Sequence, residues 1–403
     1  MFTAEELDTV LRRDVQRAIA DNIARDPMDI ALDGHVPHAA AVATQVRRLQ
    51  RAAAKLPSYY AVRAILPPTA YEQASGEECA RRKRMSGGSL LDLTCGLGVD
   101  AFALSKRFRR VVAVERDPVL AAVARENFAR LGADNIEVVE SACEEYLRGC
   151  RERFDWCYAD PDRRGAGGRR LVRPEQCSPD VAALRERIGR VADRLCVKCS
   201  PMYDVAAALR MFDAGRVETV SVRGECKEVN IYIDGSAPTV AAVAVGMGEF
   251  ATHYPPPSVW HHAIRDVREY RYLTLPDAAL LHSRIVAAAF AGRADVWNDN
   301  SVALSVEVPH GVIGRTYAIE EALRFDEKAL RRRLRGSRAE IIRRDFPMSN
   351  SVLCSRLGIR EGGSERWCFA RVADRGWAFR LGDMADADAE KETENGATAW
   401  QRN

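Results

Sequence analysis

The stretch SLLDLTCGLGVDAFALSKRFRRVVAVE (89–115) decides the fold. SLLDLT (89–94) is a short apolar run closed by turn residues, the pattern of a buried strand. Gly96 and Gly98 follow at once, and glycines at a strand end let the backbone turn tightly and approach a ligand. DAFALSKRF (100–108) then reads as a helix and VVAVE (111–115) as a second strand. Working outward, PVLAAVARENFARLG (118–132) is a helix stopped by Gly132. IEVVES (136–141), FDWCYAD (154–160), RLCVKCS (194–200), VETVSVR (217–223) and VNIYID (229–234) are further strands. Such alternation predicts an α/β fold with a parallel, doubly wound sheet. VNIYID and TVAAVAV (239–245) leave no room for a helix between them, which predicts an antiparallel hairpin at the sheet edge.

The flanks differ from this centre. Residues 1–80 read as a helical segment. Thr3 and Glu6 can form a capping box, and Leu7, Leu11, Val15, Ile19 and Ile23 form one stripe at four-residue spacing. A second amphipathic run covers 37–55 and ends at Pro57. The expected organisation is a helical segment 1–80, a central α/β domain 81–254, a boundary at Pro255-Pro256-Pro257, a small mixed segment 258–313, a basic α/β module 314–381, and a polar acidic tail 382–403 expected to be disordered.

The chain has 403 residues, 47% hydrophobic and 29% charged, as in a soluble globular protein. No apolar run approaches a membrane span, and the acidic start lacks a signal-peptide core, so a cytoplasmic location without membrane association is expected. Eleven cysteines without an export signal read as free thiols. The single CxxC, Cys196 to Cys199, lacks the further ligands of a zinc site, and none of the seven histidines has metal spacing beyond the adjacent His261-His262 pair, so no metal is expected. Net charge is +3, but 314–381 carries 16 Lys/Arg against 9 Asp/Glu, while 382–403 carries six acids and two bases. A basic module suits a polyanionic partner.

Asp92 closes the first strand four residues before Gly96, where an anion would repel a pyrophosphate and suit a ligand with a cationic amino-acid end. Glu115 ends the second strand, where a carboxylate can accept both ribose hydroxyls. This is the arrangement of class I S-adenosylmethionine (SAM) methyltransferases. A nicotinamide dinucleotide site, or a tight turn with a capping acid, is the other reading. Asp160-Pro161-Asp162-Arg163 follows the fourth strand, so Asp160 is expected to face the methyl group, the alternative being a turn cap. Methylases of exocyclic amines usually carry an aromatic residue where Arg163 stands. Arg163, Arg164, Arg169, Arg170 and Arg173 are interspersed with Gly165, Gly167 and Gly168, which suits a phosphate-bearing substrate or a solvated loop. ALRFDEKALRRRLRGSRAEIIRRD (322–345) has nine bases against four acids and reads partly as a helix with Leu323, Leu330 and Leu334 inward. Arg331, Arg332, Arg333 and Arg335 then form either a phosphate-binding or a merely solvated face.

Several segments together resemble a bacterial family of class I SAM-dependent methyltransferases with a THUMP-like C-terminal domain, described as RNA methyltransferases. They are KLPSY (55–59), EQAS (72–75), DLTCGLGVD (92–100), DPDRR (160–164), KCSPMYD (198–204), an ECKE turn (225–228), EALR (321–324) and RDFPMS (344–349). The resemblance covers nearly the whole chain. Cys95 replaces a glycine and Asp162 a small residue of the family pattern. It implies a Rossmann-like sheet with an N-terminal helical segment and a small C-terminal α/β THUMP-like domain, SAM as cofactor and RNA as partner. The expected cofactor site comprises Asp92, Thr94, Gly96, Gly98, Asp100, Glu115, Arg116, Ser141 and Ala142. Asp160, Pro161 and Lys198 are the expected catalytic residues, and Asp204 a further substrate contact. Arg163, Arg164, Arg169, Arg170, Arg331, Arg332, Arg333 and Arg335 are the expected RNA contacts. An RNA-binding protein with an inactive methyltransferase fold and a methyltransferase with a non-RNA substrate are the alternatives. Cys199 beside Lys198 also raises a covalent route on cytosine, although DPDRR lacks the second cysteine such enzymes carry.

Overall fold

The computed structural model describes residues 2–163, 171–256, 264 and 266–385. Its first strands are β1 (Gly87–Asp92), β2 (Phe108–Glu115), β3 (Ile136–Glu140), β4 (Phe154–Ala159), β5 (Ala192–Cys199), β6 (Arg216–Val222), β7 (Glu225–Ile233), β8 (Thr239–Val245) and β9 (Gly248–His253). The chain divides into two compact units, one formed by Met1–Val217 with Glu228–Ser236, the other by Glu218–Lys227 with the chain from Ala237 onward.

In the first unit the strand order is β3-β2-β1-β4-β5-β7. The first five are parallel, and β7 runs antiparallel to β5. The order reverses between β1 and β4, and ligands of open α/β sheets bind beyond the strand ends at such a switch point. Helix Pro118–Leu131 shows how locally the sequence sets this pattern. Asp117 caps it by accepting from the amides of Val119 and Leu120, Pro118 opens it, and Gly132 ends it at φ +62°.

Residues 4–82 form short helices that share a hydrophobic cluster with Leu97, Val99, Ala103 and Val123, so they belong to the same unit as the sheet. The Thr3–Glu6 capping box is present. The expected single stripe is broken, however. Helix Ala4–Leu11 ends and Arg13–Asp21 begins about Arg12, whose ψ of 139° is not helical. Leu11 is exposed, because the break turns the second helix so that Val15, Ala18 and Ile19 face inward. Asn127 ties residue 65 to the sheet-flanking helix, accepting from the Ile65 amide and donating to its carbonyl.

The second unit contains β6, β8 and β9 in that order. The antiparallel partner of TVAAVAV is β9, reached through Gly246 at φ +84°, whereas VNIYID pairs with β5. The expected edge hairpin therefore falls one strand later. The unit's other sheet has β10 (Tyr272–Pro276), β11 (Asp295–Val296), β12 (Ala303–Ser305), β13 (Gly314–Arg324), β14 (Arg338–Arg344), β15 (Arg360–Glu361), β16 (Glu365–Val372) and β17 (Arg375–Met384), in the order β11-β12-β10-β13-β17-β16-β14-β15. Strands from 272–305 thus complete the same sheet as the basic module. The helix expected within 322–345 is confined to Glu327–Leu334 between β13 and β14, with Leu330 and Leu334 buried and Leu323 in a strand. β17 extends to Met384, so residues 382–384 are paired, and the tail from 386 lies outside the described residues.

Candidate active site

The glycine loop sits at the carboxyl ends of β1, β2 and β4, held by backbone bonds to both neighbours. Leu93 N donates to Tyr158 O at 2.9 Å and Cys95 N to Val114 O at 2.9 Å. Gly96 (φ +55°) donates its amide to Glu115 Oε2 at 2.8 Å. A side chain on Gly96 would come no nearer than 3.9 Å to Thr94 O, so that side of the loop is open. Gly98 (φ +81°) is a different case. A Cβ there would lie 2.3 Å from Phe128 Cζ, so its glycine is required by the close helix contact and the left-handed backbone.

Asp92 is 1% exposed. Its Oδ1 accepts from the Thr94 amide at 2.9 Å and the Thr94 hydroxyl at 3.3 Å, and that hydroxyl accepts from Asp160 N at 2.7 Å. Thr94 is therefore a bridge between the two strand ends. Burial, reinforced by Asp100 and Asp160, pushes the Asp92 carboxyl up to about 7 despite the Thr94 bonds. Glu115 has its Oε1 on the Asp117 amide at 2.9 Å. Ser141 N donates to Glu115 O at 3.0 Å, and Ala142 caps helix Cys143–Gly149, both half-buried at the end of β3. Arg116 is exposed and donates to Ser178 Oγ at 3.3 Å.

Asp160 follows β4, and its Oδ2 lies 2.6 Å from Lys198 Nζ, which comes from the end of β5. Pro161 is buried directly behind it. Lys198 is 4% exposed. It also donates to Ser75 Oγ at 2.7 Å, and Ser75 donates to Asp100 Oδ2 at 2.6 Å. Asp100 Oδ1 lies 2.7 Å from Lys83 Nζ, which reaches Glu228 Oε1 at 3.1 Å. Asn230 donates to Glu228 at 2.9 Å. Burial opposes the charges of Lys83 and Lys198, but the surrounding carboxylates outweigh it and raise both. Burial likewise opposes ionisation of Asp100, and Lys83 and Lys198 overcome it and hold the carboxyl below its usual range.

The sequence-derived residues thus divide. Asp92, Thr94, Gly96, Gly98, Glu115, Ser141, Ala142, Asp160, Pro161 and Lys198 gather at the strand ends around the switch point. Asp100 is turned inward with both oxygens engaged. Asp204 caps helix Val205–Phe212, its Oδ1 accepting from Ala207 N at 2.8 Å. Arg163 is half-buried, and Arg164, Arg169 and Arg170 lie outside the described residues. ECKE is no turn but the start of β7, with Glu225 paired to Lys227 and Glu228 buried. Cys199 is 4% exposed, and burial pushes its thiol well up. Lys198 is committed to Asp160 and Ser75, so it is not free to pair with a Cys199 thiolate.

In the second unit Arg331, Arg332 and Arg333 fill the last turn of helix Glu327–Leu334, where the helix dipole favours cations. Arg333 pairs with Glu321 at 2.6 Å. Arg331, Arg332 and Arg335 are exposed and have no acidic partner among the described residues.

Ser75, Lys83, Glu228 and Tyr59 were not expected at the site. Tyr59 is fully buried, and its hydroxyl donates to Leu97 O inside the glycine loop at 3.2 Å. Three of the four fall in KLPSY, EQAS and ECKE, where the resemblance marked them without a role. Lys83 sits in RRKR (81–84), which reads as a surface cluster, so only the fold reveals its burial. Among the described residues no group of His, Cys, Asp or Glu is arranged to hold a metal, and no helix is long and apolar enough to cross a membrane.

Known proteins match both units. Residues 90–161 match a family model described as a methyltransferase domain, and 314–382 one described as THUMP domain-like. An uncharacterized SAM-dependent methyltransferase of Mycobacterium tuberculosis is 29% identical over 79% of this chain and 88% of its own length. Ribosomal RNA small subunit methyltransferase J of Coxiella burnetii is 35% identical over 18% of this chain and 31% of its own. The crystal structure of a methyltransferase candidate from Porphyromonas gingivalis W83 aligns with TM-score 0.80 at 24% identity, over 96% of this chain and 100% of that one, a likeness of fold. The glycine loop between acidic strand ends and the basic α/β module thus have matching counterparts, and the chain combines a methyltransferase domain with a C-terminal THUMP-like domain.

Proposed function

We propose that the protein transfers the methyl group of SAM to an RNA acceptor held by Asp160. The cofactor suits the residues present. Asp92 is a buried carboxylate with no cation of the chain paired to it among the described residues, and a ligand bearing an ammonium group supplies the missing charge. Gly96 leaves its outer side open, and Glu115 stands at the end of β2 to accept hydroxyls. When bound, SAM supplies an activated methyl whose departure leaves a neutral thioether, so the protein's task is alignment.

The observation that carries the reading is the Asp160–Lys198 pair at the carboxyl ends of β4 and β5. Lys198 holds Oδ2, Thr94 holds the Asp160 backbone amide, and Oδ1 has no partner among the described residues. Oδ1 accepts a hydrogen bond from the acceptor group and orients its lone pair, and the carboxylate receives the proton the acceptor loses. Asp92 and the amides of the glycine loop hold the amino-acid end of the cofactor, Glu115 its ribose, and Ser141 and Ala142 border its base. RNA is favoured by Arg331, Arg332 and Arg335, exposed and without an acidic partner among the described residues, and by the ribosomal RNA methyltransferase among the relatives.

The test is transfer of labelled methyl from SAM into total RNA from cells lacking this protein, comparing the unaltered chain with Asp160→Ala. Label entering RNA with the unaltered chain alone supports the reading. SAM binding without RNA labelling moves the activity to another substrate. Absence of SAM binding supports an RNA-binding protein with an inactive methyltransferase fold.

A further inference from the structure

Ser75 of the N-terminal segment and Lys83, which follows its last helix, join a continuous line of polar groups, buried except for the half-buried Asp160 at its end: Asp160, Lys198, Ser75, Asp100, Lys83, Glu228 and Asn230. Lys83 is fully buried and Lys198, Glu228 and Asn230 nearly so. Burying charges costs far more than packing apolar side chains in their place, and such networks cluster at functional sites. This one has a definite geometry. Ser75 has one hydroxyl proton, given to Asp100 Oδ2, so its lone pair is left to receive Lys198. Asp100 lies in the first turn of the helix that follows the glycine loop, the cofactor side, and Asp160 on the acceptor side. Ser75 is thus the link between the two.

The loop bearing Ser75 is itself fixed. Glu77, 2% exposed, accepts from the Ser58 amide and hydroxyl, both at 2.8 Å. The adjacent Tyr59 bonds to Leu97 in the glycine loop.

We propose that Ser75 is a positioning residue for methyl transfer, holding Lys198 so that Asp160 keeps its place relative to the glycine loop, and that the N-terminal segment is thereby a built part of the active site. This rests on the role given to Asp160 above. Misplacement by about 1 Å of aligned reactants costs on the order of a hundredfold in rate.

The experiment compares the full chain with Ser75→Ala, Ser75→Thr and Asp160→Asn. Three quantities are read: methyl transfer to total RNA from cells lacking the protein, SAM affinity by calorimetry, and reductive methylation of Lys198 located by mass spectrometry. Ser75→Ala is expected to lower kcat at least tenfold with SAM affinity within about threefold of the unaltered chain. Ser75→Thr, which keeps the hydroxyl, is expected to recover most of kcat, whereas a packing role alone would make the larger Thr no better than Ala. Lys198 is expected to become modifiable in Ser75→Ala while Lys83 stays protected. An unchanged kcat in Ser75→Ala overturns the proposal, as does loss of SAM affinity in step with kcat. If the unaltered chain labels no RNA, the reading of the substrate fails separately, and unchanged protection of Lys198 in Ser75→Ala then overturns the positioning role by itself.

Discussion

Asp92→Asn separates the stability of the first unit from its affinity for SAM. Asp92 is buried beside Asp100 and Asp160, and its carboxyl is pushed from 3.8 up to about 7. In the unfolded chain it ionises near its ordinary value. Between about pH 4 and pH 7 the native protein therefore holds a proton that the unfolded chain has lost, and stability falls as pH rises through that window. Below pH 4 both states are protonated and nothing is lost. Above pH 7 the whole cost is present, on the order of 4 kcal/mol at about 1.36 kcal/mol per pH unit. Asn keeps the acceptor for Thr94 and removes the charge. The SAM-free variant should thus be more stable than the unaltered chain at pH 8, by up to that amount, and nearly equal to it at pH 4. Affinity for SAM should move oppositely, weakening about 10- to 150-fold with the loss of one charge-assisted bond of 1.5–3 kcal/mol. Denaturant unfolding across pH and calorimetric titration with SAM measure the two effects. A variant less stable at pH 8, or equally stabilised at pH 4 and pH 8, would refute the reasoning that Asp92 is a buried charge awaiting a cation.

Gly98→Ala should destabilise the protein by about 2–4 kcal/mol, since it combines a positive φ with a Cβ 2.3 Å from the Phe128 ring. Adding Phe128→Leu should recover only the steric part, as read from denaturant midpoints. Combined replacement of Arg331, Arg332 and Arg335 by Ala should reduce the slope of log affinity for RNA against log salt by about 2–3 while leaving SAM affinity unchanged. Fluorescence anisotropy across a salt series checks it, and an unaltered slope would make these arginines a solvated face.

How far the site could be read in advance depended on the range of the interactions. Asp117, Pro118 and Gly132 act within their own helix ends, and those ends form where the sequence places them. The hairpin expected between VNIYID and TVAAVAV failed because adjacency in sequence does not choose a strand's partner, and β5 took VNIYID. The stripe from Leu7 to Ile23 failed at a single backbone angle, ψ at Arg12, which four-residue spacing cannot register.

The order of strands and helices, the glycine loop with acids at two strand ends, and the basic character of 314–381 follow from sequence alone, because periodicity, turn chemistry and charge are local properties. The partners of Lys198 and Lys83 do not. Ser75 and Lys198 are 123 positions apart and Lys83 and Glu228 are 145, so only the packed chain brings them within bonding distance. Once there, burial in a medium that screens poorly gives these ion pairs a strength that the same residues lack in water, and makes Asp92 a weaker acid than it is in water.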